Sequence, residues 1–410
     1  MLSYQTAWLK AHYPAPFMAA VLSSDMDSTD KVVTLIEECR ELKLKVEPPN
    51  VNRSDYAFRA SDERTIVYGL GAVKGVGRSA LEALIEERAR GGAFADLFDL
   101  CRRVDLRKLN KRVLEALIRA GCFDGLAPNR ASCMATLPAA LQAADQASKA
   151  VAAGQDDMFG LLGESPAATG PTVEAVTLPE WDEAERLTAE KETLGLYLTG
   201  HPIGQYEQEL AAVVTGRIGE LLAAAPTPAE NMPQQRRRKG GGRQVIVAGL
   251  VVALRTRNTQ SGARMANVTL DDRTARLEVT IFPEAFQRFR HLIAPDSLLL
   301  VEGSLDYDDY IGAQRLTAEK VLDIGEVRDA YAKRLVVDID LARTGEGFVP
   351  VLQQILAAYR EGRCPVLVRY RNRSAQAMLR LGDEWRVRPS EELIKRLGSL
   401  GGPDSVRLEY

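Results

Sequence analysis

The period of the apolar residues changes close to residue 243 of this 410-residue chain, from helix-face spacing to strand runs, so the stretches on either side read as separate domains. Ahead of the change, Tyr4, Trp8 and Leu9, then Val32, Val33, Leu35 and Ile36, recur at helix-face spacing. Pro14, Pro16, Pro48 and Pro49 punctuate them, so the first 125 residues read as helical. Helices are expected over Ser79–Arg90 and Lys111–Ala120, the latter closed by Gly121. Residues 131–153 hold ten Ala in twenty-three positions, a strong helix former with too little bulk for a core of its own. A loop rich in Gly, Pro and Glu follows from Gly154 to about Pro179, then a short helix from Ala184 to Leu194. Residues 223–242, with three Pro and the run Arg236-Arg237-Arg238-Lys239-Gly240-Gly241-Gly242, read as a flexible basic linker.

Beyond the linker, residues 244–255 are a continuous apolar run broken by Gly249, which reads as a strand buried on both sides with a bulge at the glycine. Leu277, Val279 and Ile281 alternate with Arg276, Glu278 and Thr280, a half-buried strand. A short helix is expected at Glu284–His291, a strand at Leu298–Gly303 and a fifth at about Gln314–Leu322. Five strands with one helix between the third and fourth is the order of an OB-fold barrel. The last eighty residues mix strands (Leu335–Ile339, Val366–Tyr370, Ala377–Leu381, Val406–Tyr410) with helices near 349–360 and 391–397. The expected fold class is therefore multidomain: a mainly α amino-terminal half, an OB-fold β-barrel, then a small α+β domain.

Several classes of function drop out. The longest apolar run, Val245–Leu254, is about half the ~20 residues of a membrane-spanning helix, and no charged-then-apolar leader follows Met1. Five cysteines (Cys39, Cys101, Cys122, Cys133, Cys364) form no C-x-x-C pair, which excludes a zinc ribbon and suits a reducing, cytoplasmic setting. His12, His201 and His291 lie far apart, so no His-based metal site is expected. The net charge of −3 is a cancellation: residues 154–192 hold ten acids and two bases, whereas residues 231–270 hold eight bases and no acid.

The sharpest local signal is Val67-Tyr68-Gly69-Leu70-Gly71-Ala72-Val73-Lys74-Gly75-Val76-Gly77-Arg78, running into the helix from Ser79. A glycine turn that opens a helix directs several N–H groups one way at the positive end of the dipole, and Lys74 and Arg78 add charge. Apolar residues on both sides fit a helix-hairpin-helix that grips a nucleic-acid backbone without reading bases; a turn that merely packs two helices has the same pattern. Arg102, Arg103, Arg107, Lys108, Lys111, Arg112, Arg119 and Arg130 follow, with Leu106–Ile118 as a second, degenerate hairpin or a solvated helix face.

Gln155-Asp156-Asp157-Met158-Phe159 places an apolar pair in a polar loop, suited to plug a partner's groove or to dock on the chain's own helices. The basic stripe, with Arg255, Arg257 and Arg264 on the barrel, points to single-stranded nucleic acid held by phosphate charge, with Tyr307 and Tyr310 as stacking residues. Asp306-Tyr307-Asp308-Asp309-Tyr310 and Asp271-Asp272 read as turns rather than paired-carboxylate metal sites. No catalytic constellation and no metal or cofactor site is expected in this chain.

Ser3-Tyr4-Gln5-Thr6-Ala7-Trp8-Leu9-Lys10-Ala11-His12-Tyr13-Pro14, the Gly69–Gly77 hairpin, Gln155–Phe159, Glu192-Thr193-Leu194-Gly195-Leu196-Tyr197-Leu198-Thr199-Gly200-His201-Pro202 and Leu270-Asp271-Asp272-Arg273 strongly resemble, in order, the alpha subunits of bacterial DNA polymerase III, the C-family replicative DNA polymerases. The resemblance covers essentially the whole chain and implies a carboxy-terminal part. Residues 1–60 would be the end of the fingers, 61–130 a tandem helix-hairpin-helix DNA-binding module, and 131–165 an Ala-rich helix with the clamp-binding loop. Residues 166–242 would be connecting helices and basic linker, 243–325 the OB-fold, and 331–410 an α+β domain that binds the tau subunit of the clamp loader.

The resemblance implies that Gln155, Met158 and Phe159, with Asp156 and Asp157 between them, enter the sliding clamp's hydrophobic pocket. It also implies that Lys74, Gly75 and Gly77, flanked by Gly71, Val76 and Arg78, meet duplex DNA. The phosphoesterase-like domain, the palm with its Mg²⁺-binding aspartates and the site of the proofreading exonuclease subunit would lie upstream of Met1. The chain alone is therefore expected to be inactive as a polymerase, a truncated reading frame or fragment. Some members of the family end in a second clamp-like peptide; Ser405-Val406-Arg407-Leu408-Glu409-Tyr410 departs from it. A free-standing DNA- and clamp-binding adaptor and an error-prone paralogue are the alternatives.

Overall fold

The computed structural model describes residues 2–152, 175–224, 242–259, 262–308, 312–340, 347–371, 376–402 and 405–410. The chain divides into two compact units, Met1–His201 and Pro202–Tyr410.

The first unit holds α1 (Leu2–His12), α2 (Pro14–Ser24), α3 (Thr29–Glu41), β1 (Lys45–Glu47), β2 (Arg59–Ala60), β3 (Thr65–Val67), α4 (Arg78–Gly91), α5 (Leu97–Arg103), α6 (Lys111–Arg119), α7 (Arg130–Ala152) and α8 (Glu183–Leu194). The three strands form a sheet in the order β1-β3-β2, with β1 parallel and β2 antiparallel to β3. This corrects the all-helical reading of the first 125 residues; strands of two or three residues are too short to register as a period. It also places the expected boundary at residue 60 inside a sheet, with β1 before it and β3 after. One apolar cluster runs from Ala15 to Leu196, through Ile36, Leu81, Leu114 and Leu137, so a boundary at 130 separates no cores either.

Helix starts follow the expected chemistry. The side chains of Asp96, Asn110 and Asp182 accept the N–H of Asp99, Val113 and Glu185, capping α5, α6 and α8. The first turn of α7 is capped from a distance: the Glu180 carboxylate accepts Arg130 N at 3.2 Å, Ala131 N at 3.1 Å and its neighbour Trp181 N at 2.9 Å. Partial burial alone would raise the Glu180 pKa, but these donors outweigh it and hold the carboxyl below its ordinary value. A depressed carboxylate contributes stability above its unfolded pKa that is lost as pH falls through the folded one. Wild type should therefore lose more stability than Glu180→Gln between neutral and acidic pH. Parallel acid titrations of the two proteins, followed by circular dichroism, would contradict this if both lost the same stability.

The second unit opens with α9 (Glu207–Ala211) and α10 (Ile218–Ala224) and then builds a closed barrel. Its strands are β4 (Arg243–Asn258), β5 (Arg264–Asp271), β6 (Arg276–Ile281), β7 (Leu298–Asp308) and β8 (Ala313–Asp323), in the order β4-β5-β6-β8-β7, with α11 (Pro283–Phe289) between β6 and β7. All neighbours are antiparallel except β6 and β8. This is the expected OB topology. Val247, Val268, Val279, Val301 and Leu316 fill the interior. The bulge expected at Gly249 instead lies between Val251 and Ala253, and Gly249 keeps regular register with Leu299. The turn reading of Asp271-Asp272 holds: buried Asp272 accepts Thr274 N, Ala275 N and, from the start of α10, Ile218 N.

After α12 (Ile324–Tyr331) come β9 (Arg334–Asp340), α13 (Phe348–Ala357), β10 (Val366–Arg371), β11 (Gln376–Arg380), α14 (Glu391–Gly401) and β12 (Val406–Glu409). They form a mixed sheet β11-β10-β9-β12 covered by α13 and α14, the small α+β domain expected from the sequence. Among the described residues, no helix is long and apolar enough to cross a membrane.

Candidate nucleic-acid interface

Between β3 and α4 the chain makes a single 3-10 turn, Leu70–Ala72, then a turn from buried Val73 to exposed Gly77. Gly75 sits at φ +79°, and a side chain there would project into open space, so the glycine serves the backbone conformation rather than packing. Lys74, Gly75, Gly77 and Arg78 are exposed, and half-buried Val76 anchors the turn to the core. The N–H groups of Gly75, Gly77 and Arg78 have no acceptor among the described residues, and Gly77 is the N-cap of α4. The turn thus presents several free donors and an unpaired Lys74 at the positive end of a helix of 14 residues. Arg78 is half committed: its Nε donates to Glu82 at 2.8 Å and its guanidinium lies 5.1 Å from the centre of the Tyr56 ring.

Gly71 is a correction. Its N–H donates to Tyr56 O at 2.9 Å, and a Cβ there would lie equally close to that oxygen. It packs the turn against the preceding loop and offers no donor to a ligand. The N–H of Lys74 is likewise taken, by Thr193 O at 2.8 Å.

The second hairpin is present as α5, the loop Val104–Asn110 and α6. Leu109 is buried, while Arg107, Lys108, Asn110, Lys111 and Arg112 are exposed around the start of α6. The basic run does not form one solvated face, however. Arg103 bonds Asp99, Glu87 and the carbonyl of Gly92, and Arg130 is buried against Asp124 and Glu190.

On the barrel, register separates the expected residues. Arg255 faces Asn267 and Arg257 faces Met265, and this series points outward because the adjacent Leu254 and its partner Val268 pack into the barrel core. Arg264 faces Asn258 and so shares the inward series of Leu254, at the barrel end. Tyr307 follows the inward Leu305 by two residues, in register with Gln314. Arg264 and Tyr307 are therefore not on the outer face with Arg255 and Arg257. Asn267, which the sequence did not single out, is. Farther round the same face Arg315 is held by Asp308 at 2.7 Å and Glu278 at 3.0 Å; Asp306 and Asp308 are paired residues of β7, which corrects the turn reading for them, because β7 runs on in register with β8. Tyr310 and the whole of Gln155-Asp156-Asp157-Met158-Phe159 lie outside the described residues.

Comparison with known proteins agrees with this division. A helix-hairpin-helix motif model matches residues 43–133, an OB-fold nucleic acid binding domain model matches 245–324, and the model of the DNA polymerase III subunit alpha C-terminal domain matches 351–402. DNA polymerase III subunit alpha of Vibrio cholerae is 44% identical over 100% of this chain and 34% of its own length. That of Escherichia coli K12 is 45% identical over 100% and 34%, and that of Pseudomonas aeruginosa 43% over 100% and 35%. The chain thus spans about a third of the length of the curated relatives it matches. Among solved structures, the single-stranded DNA binding protein from Thermus aquaticus is 26% identical, covering 20% of this chain and 39% of that one with a TM-score of 0.18.

Proposed function

We propose, on the premise that this chain belongs to the DNA polymerase III alpha-subunit family as a carboxy-terminal portion, that it is the part of such a subunit that holds DNA and its replication partners. In this reading the two hairpins grip the duplex backbone, and the outer face of β4 and β5, with Arg255 and Arg257, holds single-stranded DNA. The Gln155–Phe159 loop binds the sliding clamp, and the β9–β12 domain binds the tau subunit of the clamp loader, all in the cytoplasm. Mg²⁺-dependent nucleotide transfer and the proofreading partner belong to the portion of the subunit outside these residues, and no catalytic or metal-binding residue is assigned here.

The observation that carries the reading is the Val73–Gly77 turn, with its free N–H donors and exposed Lys74 at the start of α4. Lys74→Ala combined with Gly75→Ala removes one cation that would meet a phosphate and forces a side chain into a left-handed backbone, which costs about 1–2 kcal/mol. Duplex affinity should fall about tenfold, and the slope of log K against log salt should flatten by roughly 0.9, one phosphate's worth. A titration series in which the double variant keeps the wild-type slope would show that the turn only packs helices.

A further inference from the structure

The helix-hairpin-helix match ends at residue 133, yet the first hairpin is held from residues some sixty positions farther on. The N–H of Lys74, inside the turn, donates to the carbonyl of Thr193 in the last turn of α8. That turn is fixed in place by one buried carboxylate. Glu190 is fully buried and accepts Arg130 Nη1 at 2.9 Å, Leu198 N at 3.1 Å, Thr199 N at 3.1 Å and the Thr199 hydroxyl at 2.5 Å. Arg130, itself buried at the start of α7, also binds the carbonyl of Arg119, the last residue of α6, at 3.4 Å and Asp124, in the turn after α6, at 2.7 Å. Glu190 therefore connects through Arg130 to the second hairpin and through Thr193 to the first.

We infer that Glu190 is a positioning residue that sets the two hairpins relative to one another so that both reach the duplex backbone. The inference rests on the reading that the hairpins bind DNA. A buried, charged hydrogen-bond hub suits this task because its bonds are directional and its breakage is costly, whereas apolar packing tolerates small slides. It also gives a physical reason for the stretch Glu192 to Pro202: Gly195 takes φ +82° to end α8, and the chain then turns back so that Leu198 and Thr199 meet Glu190.

The test uses the whole chain, a labelled blunt duplex and a single-stranded oligonucleotide. Glu190→Gln keeps the shape and removes the charge. Duplex affinity should fall about tenfold with a flatter salt slope, as fewer phosphates are engaged at once, while oligonucleotide binding on the barrel stays unchanged. Hydrogen exchange at Lys74 N–H should accelerate. If Lys74→Ala with Gly75→Ala weakens duplex binding while Glu190→Gln leaves affinity, slope and exchange as in wild type, the positioning role is overturned and the DNA reading stands. If neither variant affects the duplex, it is the DNA reading that fails. Should Glu190→Gln unfold the unit, Thr199→Val, which keeps the charge pair, is expected to speed Lys74 exchange and weaken duplex binding; unchanged exchange and binding there would overturn the inference.

Discussion

Arg328→Ala is expected to destabilise the Pro202–Tyr410 unit by about 1–3 kcal/mol, less than the cost of stranding a fully buried charge because Glu209 and Glu391 keep contact with water. Arg328 is 2% exposed. Its Nε and Nη2 bond the Glu209 carboxylate, both at 2.8 Å, and its Nη1 bonds Glu391 at 2.7 Å. The hydroxyl of Tyr410 donates to the same Glu209 at 2.8 Å, and the Tyr206 ring lies 5.7 Å from the guanidinium. One side chain on α12 thus ties α9, which precedes the barrel, to α14 and the residue after β12, which belong to the α+β domain. Burial pushes the Arg328 pKa down, but the hydrogen bonds and charges of Glu209 and Glu391 outweigh it and leave it above its ordinary value. Without the cation the two carboxylates face each other with no counter-charge. The midpoint of thermal unfolding should drop by roughly 2–12 °C for a unit of this size. Replacing Arg328 and Glu209 together with Met should recover part of the loss, since the Glu209 carboxylate is then no longer stranded, while Glu391 and the Tyr410 hydroxyl still lose their partners. A single variant that melts within a degree of wild type would mean the cluster adds nothing to the unit.

The barrel was legible in the sequence because its first strand is a long apolar run and its third alternates cleanly. Leu277, Val279 and Ile281 do lie inside, and the helix does fall between the third and fourth strands. What the sequence could not carry is register. A bulge of one residue at Val252 decides that Arg255 and Arg257 face outward, and nothing in the run Val251-Val252-Ala253 marks it. Arg264 and Tyr307 were grouped with them by charge and ring type, properties blind to which side of a strand a residue occupies. In the first unit, Gly71 and Gly75 look alike as letters, but only Gly75 has a positive φ; Gly71 is there for close approach to Tyr56. Arg103 and Arg130 read as surface charge by composition, yet Arg103 is tied to half-buried Asp99 and Glu87, and Arg130 is itself buried beside buried Glu190. Glu190 went unremarked in an acidic stretch, since a buried acid and a solvated one read identically.

Met158→Ala with Phe159→Ala is expected to lower the affinity of this chain for a bacterial sliding clamp by about two to four powers of ten. Burying an apolar side chain of this size contributes roughly 1.5–3 kcal/mol, so removing two from one pocket costs about 3–6 kcal/mol. Such anchors dominate peptide-sized interfaces, where a few side chains supply most of the binding energy. Gln155→Ala should cost far less, about 1 kcal/mol for a neutral hydrogen bond that water partly replaces. The other candidate for the clamp, Ser405–Tyr410, is supported less well by its placement. Val406–Glu409 pairs antiparallel with β9, Val406 and Leu408 pack on the core of the α+β domain, and the Tyr410 hydroxyl is bonded to Glu209. A clamp would have to break that pairing before it could hold the segment. Calorimetric titration of clamp into each variant separates the two, with duplex affinity as the control because the hairpins are untouched. Full clamp affinity in the Met158/Phe159 double variant would move the contact away from the loop and require the strand to detach.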